Sequence, residues 1–416
     1  MIYLIIFLLG ILLAGNHAVS KNFLYPPALF TGVWFLSIIA LALSGDTFYP
    51  ISLETLLVYF MGALCFSMGG LAVISITSVT LIKRCNFTST QKTKIQRLLD
   101  IFLVILVIGL PIYLQKNDVD FTDPLGLAMR RSEINLDQET NTTRSFGLIK
   151  NLVVLSQIIA MAMHQQNDGT FSRRWRSYLM IVIAIIYGAS SGTKGNAVML
   201  ILTLLFISFI QEKRINFIEL GLGLILALGI FAIGLLFVNF AYLDKMETIP
   251  ILMEVIQNYW LGGLVTFERI VQAPASFENT HNITRFFLET GNGFGANFKI
   301  PSIHMAFTNI SASQDSNTYT LYISYFKDYG WLGLMLGLFL LGFVLTWIYK
   351  AAYYGNPIAI ALYGANSYGI ILSIQAEHFF LGLNFYLKLL LMFYLLYYLS
   401  IKFSIPANFK LSRKNA

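Results

Sequence analysis

An all-α polytopic membrane protein is what this sequence predicts, and three observations carry the prediction. Hydrophobic residues make up 56% of the 416 and charged residues only 12%, where soluble domains carry about 25% charged. The apolar residues fall in blocks long enough to cross a bilayer, which takes roughly 20 residues of α-helix. Lysine and arginine collect in short connections at alternating block ends, the pattern that sets orientation in a membrane. No polar stretch is long enough to bury a core of its own, so residues 1–416 read as a single integral membrane domain.

In chain order the expected spans are 2–19, 28–43, 55–82, 97–114, 146–164, 177–190, 196–211, 216–240, 328–349, 357–374 and 381–403. That is about eleven transmembrane helices, with ten to twelve as the range. The first block runs apolar from Ile2 to Ala14 without a basic leader and reads as a span, not as a cleaved signal. Pro26, Pro27, Pro50, Pro357 and Pro406 fall at or between span ends, where proline costs least. The stretch Tyr178–Ile210 decides the count. As one helix it would put Arg173, Arg174 and Arg176 on the opposite side from Lys213 and Arg214. As two short spans turning at Ser190–Gly195 it keeps both clusters together.

The same side then receives Lys21, Lys83, Arg84, Lys92, Lys94, Arg97, Lys350 and the basic tail after Lys402. Basic residues in short loops mark the cytoplasmic side, so the N-terminus faces outward and the C-terminus inward. The net charge of +7 is thereby an orientation signal, and no nucleic-acid partner is needed to explain it. The two cysteines, Cys65 and Cys85, imply no disulfide framework.

Three outward features remain. One is a charged loop over 115–145. Another is a long periplasmic loop over 240–327 that holds two interfacial or re-entrant segments, Glu254–Ile270 and Thr284–Phe298. The last is the glycine-interrupted turn around Gly192 and Gly195. Short interrupted spans point to binding sites, because irregular backbone at membrane depth survives only when buried or lining a cavity. Arg130, Arg131, Arg144, Lys194, Arg269 and Arg285 offer donors to a phosphate or pyrophosphate. The plain alternative for each is a solvated side chain or a contact with lipid headgroups. Acid–base chemistry has candidates in His281, His304, Asp315, Glu377 and His378. A lone loop histidine is most often only solvated. Glu377-His378 differs, because it interrupts an apolar sequence where charge is expensive. Asp118-Val119-Asp120 is a weak metal pattern in a loop this acidic, and Asn292–Gly295 reads as a turn. No metal and no cofactor is expected.

Several stretches resemble the O-antigen polymerase family, the Wzy-type polymerases of oligosaccharide repeat units. Tyr25-Pro26-Pro27-Ala28-Leu29-Phe30 with Trp34 looks like the family's entry to its second span. Ser191-Gly192-Thr193-Lys194-Gly195 looks like its Gly-Ser-Arg-Gly turn, with lysine where arginine is usual. Asn317-Thr318-Tyr319-Thr320, followed by Tyr325-Phe326-Lys327-Asp328-Tyr329-Gly330-Trp331-Leu332-Gly333, looks like the entry to the span after the long loop. The resemblance makes Gly192, Gly195, Asn317, Asp328 and Gly330 motif positions. Arg285 and Gly295 stand one residue short of the arginine–glycine spacing some members show.

The resemblance implies a GT-C-like glycosyltransferase of lipopolysaccharide biosynthesis, embedded in the bacterial inner membrane with a periplasmic N-terminus. It implies transfer of a growing glycan from undecaprenyl pyrophosphate to a hydroxyl of the next lipid-linked repeat unit. Its partners would be that lipid-linked oligosaccharide, membrane lipid and a chain-length co-polymerase. Two alternatives stay open: a flippase or other transporter of lipid-linked oligosaccharide, and an O-antigen ligase. Transporters tend to show repeat symmetry and midplane charge, whereas this chain has one long asymmetric loop. The ligase shares the chemical needs of the polymerase.

Overall fold

The computed structural model describes residues 1–76, 89–116, 147–167, 170–190, 194–239, 248–274, 279–300 and 307–402. The chain opens with α1 (Ile2–Ser20), α2 (Pro26–Leu43), α3 (Leu53–Ile76) and α4 (Ser89–Lys116). It continues with α5 (Gly147–Gln165), α6 (Phe171–Ser190), α7 (Lys194–Glu212) and α8 (Phe217–Asn239). The long loop holds α9 (Thr248–Gln272) and α10 (Arg285–Gly293), then the paired two-residue strands β1 (Thr308–Asn309) and β2 (Asp315–Ser316). The chain then forms α11 (Ile323–Tyr353), α12 (Pro357–Ile371) and α13 (Leu383–Lys402). Each expected span overlaps a helix among the described residues, and residues 77–82 of the third span lie outside them. Among the described residues, seven helices are long and apolar enough to cross a membrane: α1 to α4, α7, α11, and α12 with its extension to Ile374. The protein is an all-α, multi-pass membrane protein.

Local sequence explains where helices start. Pro26 and Pro27 occupy the first turn of α2, where a missing N–H removes nothing the helix would use. Asn356 caps α12 by accepting from the amides of Ile358 (3.0 Å) and Ala359 (3.1 Å), and Pro357 follows at the first helical position.

Packing between spans relies on close backbone approach, because lipid removes the hydrophobic drive that joins helices in water. The principal helix pair is α3 with α11. There Gly69 faces the backbone of Phe339, and Gly342 faces the carbonyl of Phe66. A Cβ at either position would overlap main-chain atoms. One polar cluster in this layer is satisfied across helices. Asn16 Nδ2 donates to Thr31 Oγ1 (3.0 Å) and Ser67 Oγ (2.9 Å), tying α1, α2 and α3 together. Tyr3, Phe7, Ile101, Ile108, Ile218 and Ile225 stay exposed on α1, α4 and α8, where they form a lipid-facing surface.

The basic connections meet at one end of the bundle. Asn22 Nδ2 donates to the Lys213 carbonyl (3.2 Å), and the Lys213 ammonium lies 4.5 Å from the centre of the Tyr353 ring. Gln165 donates to the Pro357 carbonyl (2.9 Å), and Arg176 at the start of α6 pairs with Asp100 (2.5 Å). Helices α6 and α7 are separate and packed side by side. The arginines of Arg173–Arg176 and Lys213 therefore share this end, as the loop charges require.

Candidate functional site

The opposite end is built from the long loop and the connection between α12 and α13. The second half of α9 is core, with Leu264, Phe267 and Ile270 fully buried. This half of the segment Glu254–Ile270 is packed inside the protein. The physical reason is Gly262 and Gly263, which face Ser316 and the Ile374 carbonyl and let the returning chain lie directly against the helix. Tyr59 Oη donates to the Leu264 carbonyl (2.6 Å), Asn258 donates to the Asp315 carbonyl (3.0 Å), and Thr266 donates to the Thr318 carbonyl.

Beyond β2 the chain runs alongside the end of α12. The amide of Tyr319 donates to Gln375 O (3.1 Å), and that of Leu321 donates to Ser373 O (2.7 Å). Trp34 seals this layer from below. Its indole stacks on Tyr322 at 4.3 Å and its Nε1 donates to Ser373 Oγ (3.2 Å).

Glu377 lies at the centre, 2% exposed. Its carboxylate accepts from the amides of Phe379 (2.7 Å), Phe380 (2.9 Å) and Leu381 (2.8 Å), so it caps the approach to α13. Tyr325 and Tyr386 lie within electrostatic reach of this carboxylate. The His378 ring packs on Tyr368 at 5.0 Å between centroids. Its Nε2 is buried and has no hydrogen-bond partner among the described residues. Tyr368 in turn reaches the first turn of α7, where a Cβ on Gly195 would lie 3.5 Å from its hydroxyl.

Burial pushes the Glu377 carboxyl up to about 7, against three amide hydrogen bonds that pull it down. Burial alone pushes His378 down to about 4. Near neutral pH the site thus holds a carboxyl close to its midpoint beside a neutral imidazole. Perturbed pairs of this kind concentrate at functional sites, although structural networks also produce them.

The other candidates fall in different surroundings. Asp328 accepts from the amide (2.6 Å) and hydroxyl (2.8 Å) of Thr280, and Asn282 donates to Ser324 Oγ (2.9 Å). These bonds clip the 280–285 segment to the first turns of α11, so Asp328 acts as a strut. His281 is half-buried in left-handed backbone (φ +50°), with its carbonyl accepting from the Arg285 amide (2.7 Å). Arg285 is turned into the protein, 7% exposed, with Glu289 at 3.6 Å. Burial lowers its affinity for the proton, while Glu289 opposes that shift. Arg269 is exposed, with its guanidinium carbon 5.5 Å from the centre of the Tyr49 ring. Its neighbour Glu268 accepts from the amide (3.1 Å) and hydroxyl (3.0 Å) of Ser52. Asp315 and Asn317 are exposed.

Gly330 breaks α11 at φ +65° and ψ −159°, backbone that only glycine adopts cheaply. Arg130, Arg131, Arg144, Gly192 and His304 lie outside the described residues, and for Lys194 only the backbone at the start of α7 is described. Most of the 115–145 loop, with Asp118 and Asp120, also lies outside. Among the described residues no cluster of three or more metal-ligating side chains occurs.

Tyr368 and Tyr386, which complete the surroundings of Glu377-His378, carry no signal of their own in sequence, because each sits in an apolar span rich in aromatics. Tyr325 stands in the stretch that resembles the post-loop motif and was legible only as part of it. Comparison with protein-family models, curated proteins and solved structures finds no match. What fold and site together define is a multi-pass helical membrane protein with a buried carboxyl–imidazole pair at the end remote from its basic connections.

Proposed function

We propose that the protein polymerises undecaprenyl-pyrophosphate-linked oligosaccharide repeat units at the periplasmic face of a bacterial inner membrane. The reaction is transfer of the growing glycan to a hydroxyl of the next lipid-linked unit. The observation that carries this reading is the Glu377-His378 pair, placed beside the first turn of α7 at the end away from the basic connections. An acceptor hydroxyl needs a base, and a neutral imidazole whose buried Nε2 has no partner among the described residues can supply the required lone pair. The departing diphosphate needs cations where its charge develops, and Arg269 with Lys194 fills that role here. In this reading all eleven helices of the α1–α8 and α11–α13 set cross the bilayer in a GT-C-like arrangement, with the N-terminus periplasmic and the C-terminus cytoplasmic.

Deleting the gene is expected to leave lipopolysaccharide with at most one repeat unit on its core. A full ladder of chain lengths on a gel from the deletion strain would refute the polymerase. Loss of even the single-unit band would assign the protein to transport or ligation. With protein level held constant, Arg269→Ala and Lys194→Ala should each abolish the ladder. Normal ladders in both would remove these cations from the site.

A further inference from the structure

A concave surface shares no lining residue with the surroundings of Glu377-His378. It is an apolar cleft of about 300 Å³ between the start of α1, the end of α2 and the connection to α3. Ile2, Leu41, Phe48, Tyr49, Ile51 and Leu56 line it. Its volume sits at the lower limit of small-molecule sites. Its walls are mostly apolar, so a strongly polar ligand would recover only part of its hydration there. A hydrocarbon chain suffers no such loss. The cleft also continues the lipid-facing surface. Tyr3, Leu4 and Phe7 are exposed on α1 just past Ile2, and Leu43 is exposed next to the lining residue Ala42.

Charge around the cleft has both signs. Arg269 is exposed and lies over Tyr49, one of the lining residues. Exposed Asp46 follows the lining residue Gly45 directly, and exposed Glu54 shares the first turns of α3 with Leu56. Glu268 is already engaged by Ser52. An anionic headgroup would match Arg269 but meet the two carboxylates. A headgroup with a phosphate and a primary ammonium matches all three.

We propose that this cleft holds an acyl chain of a zwitterionic phospholipid of the phosphatidylethanolamine type, its phosphate on Arg269 and its ammonium among Asp46 and Glu54. The site shares Arg269 with the proposed diphosphate contact, and its test reads lipid retention without any transfer reaction.

Native mass spectrometry of the delipidated full chain, titrated with phosphatidylethanolamine, phosphatidylglycerol and a polyprenyl phosphate, tests it. Phosphatidylethanolamine should be retained at the lowest concentration. Arg269→Ala should weaken that retention by about fivefold, the upper range for one exposed ion pair. Asp46→Asn with Glu54→Gln should weaken phosphatidylethanolamine while leaving phosphatidylglycerol unchanged or tighter. Ala42→Trp and Ile51→Trp, which fill the cleft, should lose the lipid, with melting temperature recorded on the same samples to show that they fold. Tighter retention of phosphatidylglycerol overturns the proposal. Tighter retention of polyprenyl phosphate overturns it too, and hands the cleft to a lipid-linked substrate. So do folded cleft-filling variants that keep phosphatidylethanolamine as the unaltered protein does.

Discussion

Glu377→Ala is expected to melt well below the unaltered protein in detergent. The truncation leaves the amides of Phe379, Phe380 and Leu381 without their shared acceptor. A fully buried orphan such as the Phe379 amide costs about 1–3 kcal/mol, and the part-buried amides of Phe380 and Leu381 cost less, against a total stability of roughly 5–15 kcal/mol for a typical domain. Glu377→Gln keeps one acceptor oxygen and should fall between the two. Equal melting temperatures for alanine and the parent would show that the carboxylate does not hold this turn.

The pH dependence of the same site is sharper, because the two neighbours act in opposite directions. Glu377 is raised from 4.5 to about 7, so between those values the folded state holds a proton that the unfolded state has lost. Its contribution is complete below pH 4.5 and declines as pH rises through 7. His378 is lowered from 6.5 to about 4, so between those values the unfolded state holds the extra proton. Its contribution is complete above pH 6.5 and is lost as pH falls through 4. Over the overlap, about pH 4.5 to 6.5, the two slopes cancel. Glu377→Gln should unmask a stability that rises with pH across that window, and His378→Phe one that falls. Parallel melting curves in both variants would show that the pair does not titrate as described.

The next largest effect is expected from Gly342→Ala. The added methyl has no room against the Phe66 carbonyl, and main chain cannot rotate away as a side chain would. Overpacking of this kind costs about 1–3 kcal/mol or more, so detergent-solubilised protein should lose its α3–α11 contact and melt early. Gly221→Ala is the control, since nothing lies within 4 Å of the new carbon. If both variants melt alike, close approach is not what joins α3 to α11.

Helix positions were legible because crossing a bilayer demands a long apolar run, and the break between α6 and α7 was legible because Arg173–Arg176 and Lys213–Arg214 needed a common side. Glu377 stood out by the cost of charge in an apolar run. What could not be read was the fate of α9. Its run Tyr259–Phe267 is equally compatible with a membrane surface and with burial. The choice is made by Gly262 and Gly263 meeting Ser316 and Ile374, residues more than fifty positions away. The bond from Asp328 to Thr280 is equally invisible in sequence, since the two residues stand forty-eight positions apart and meet only in the fold. Function was legible only as far as the motif resemblance and the unusual placement of Glu377-His378.

The two hydrogen bonds from Tyr319 and Leu321 to Gln375 and Ser373 set the mechanics of this end of the molecule. They splice the return leg of the long loop to the strip of chain that carries His378, with Gln375 only three residues before it. Separating the two would strip acceptors from two amides next to the buried Tyr322–Trp34 stack, so they share one local stability and open together or not at all. A tug on β2 is therefore delivered through main chain to the strip that carries His378, whereas α9 is coupled to it through the side chains of Asn258 and Thr266.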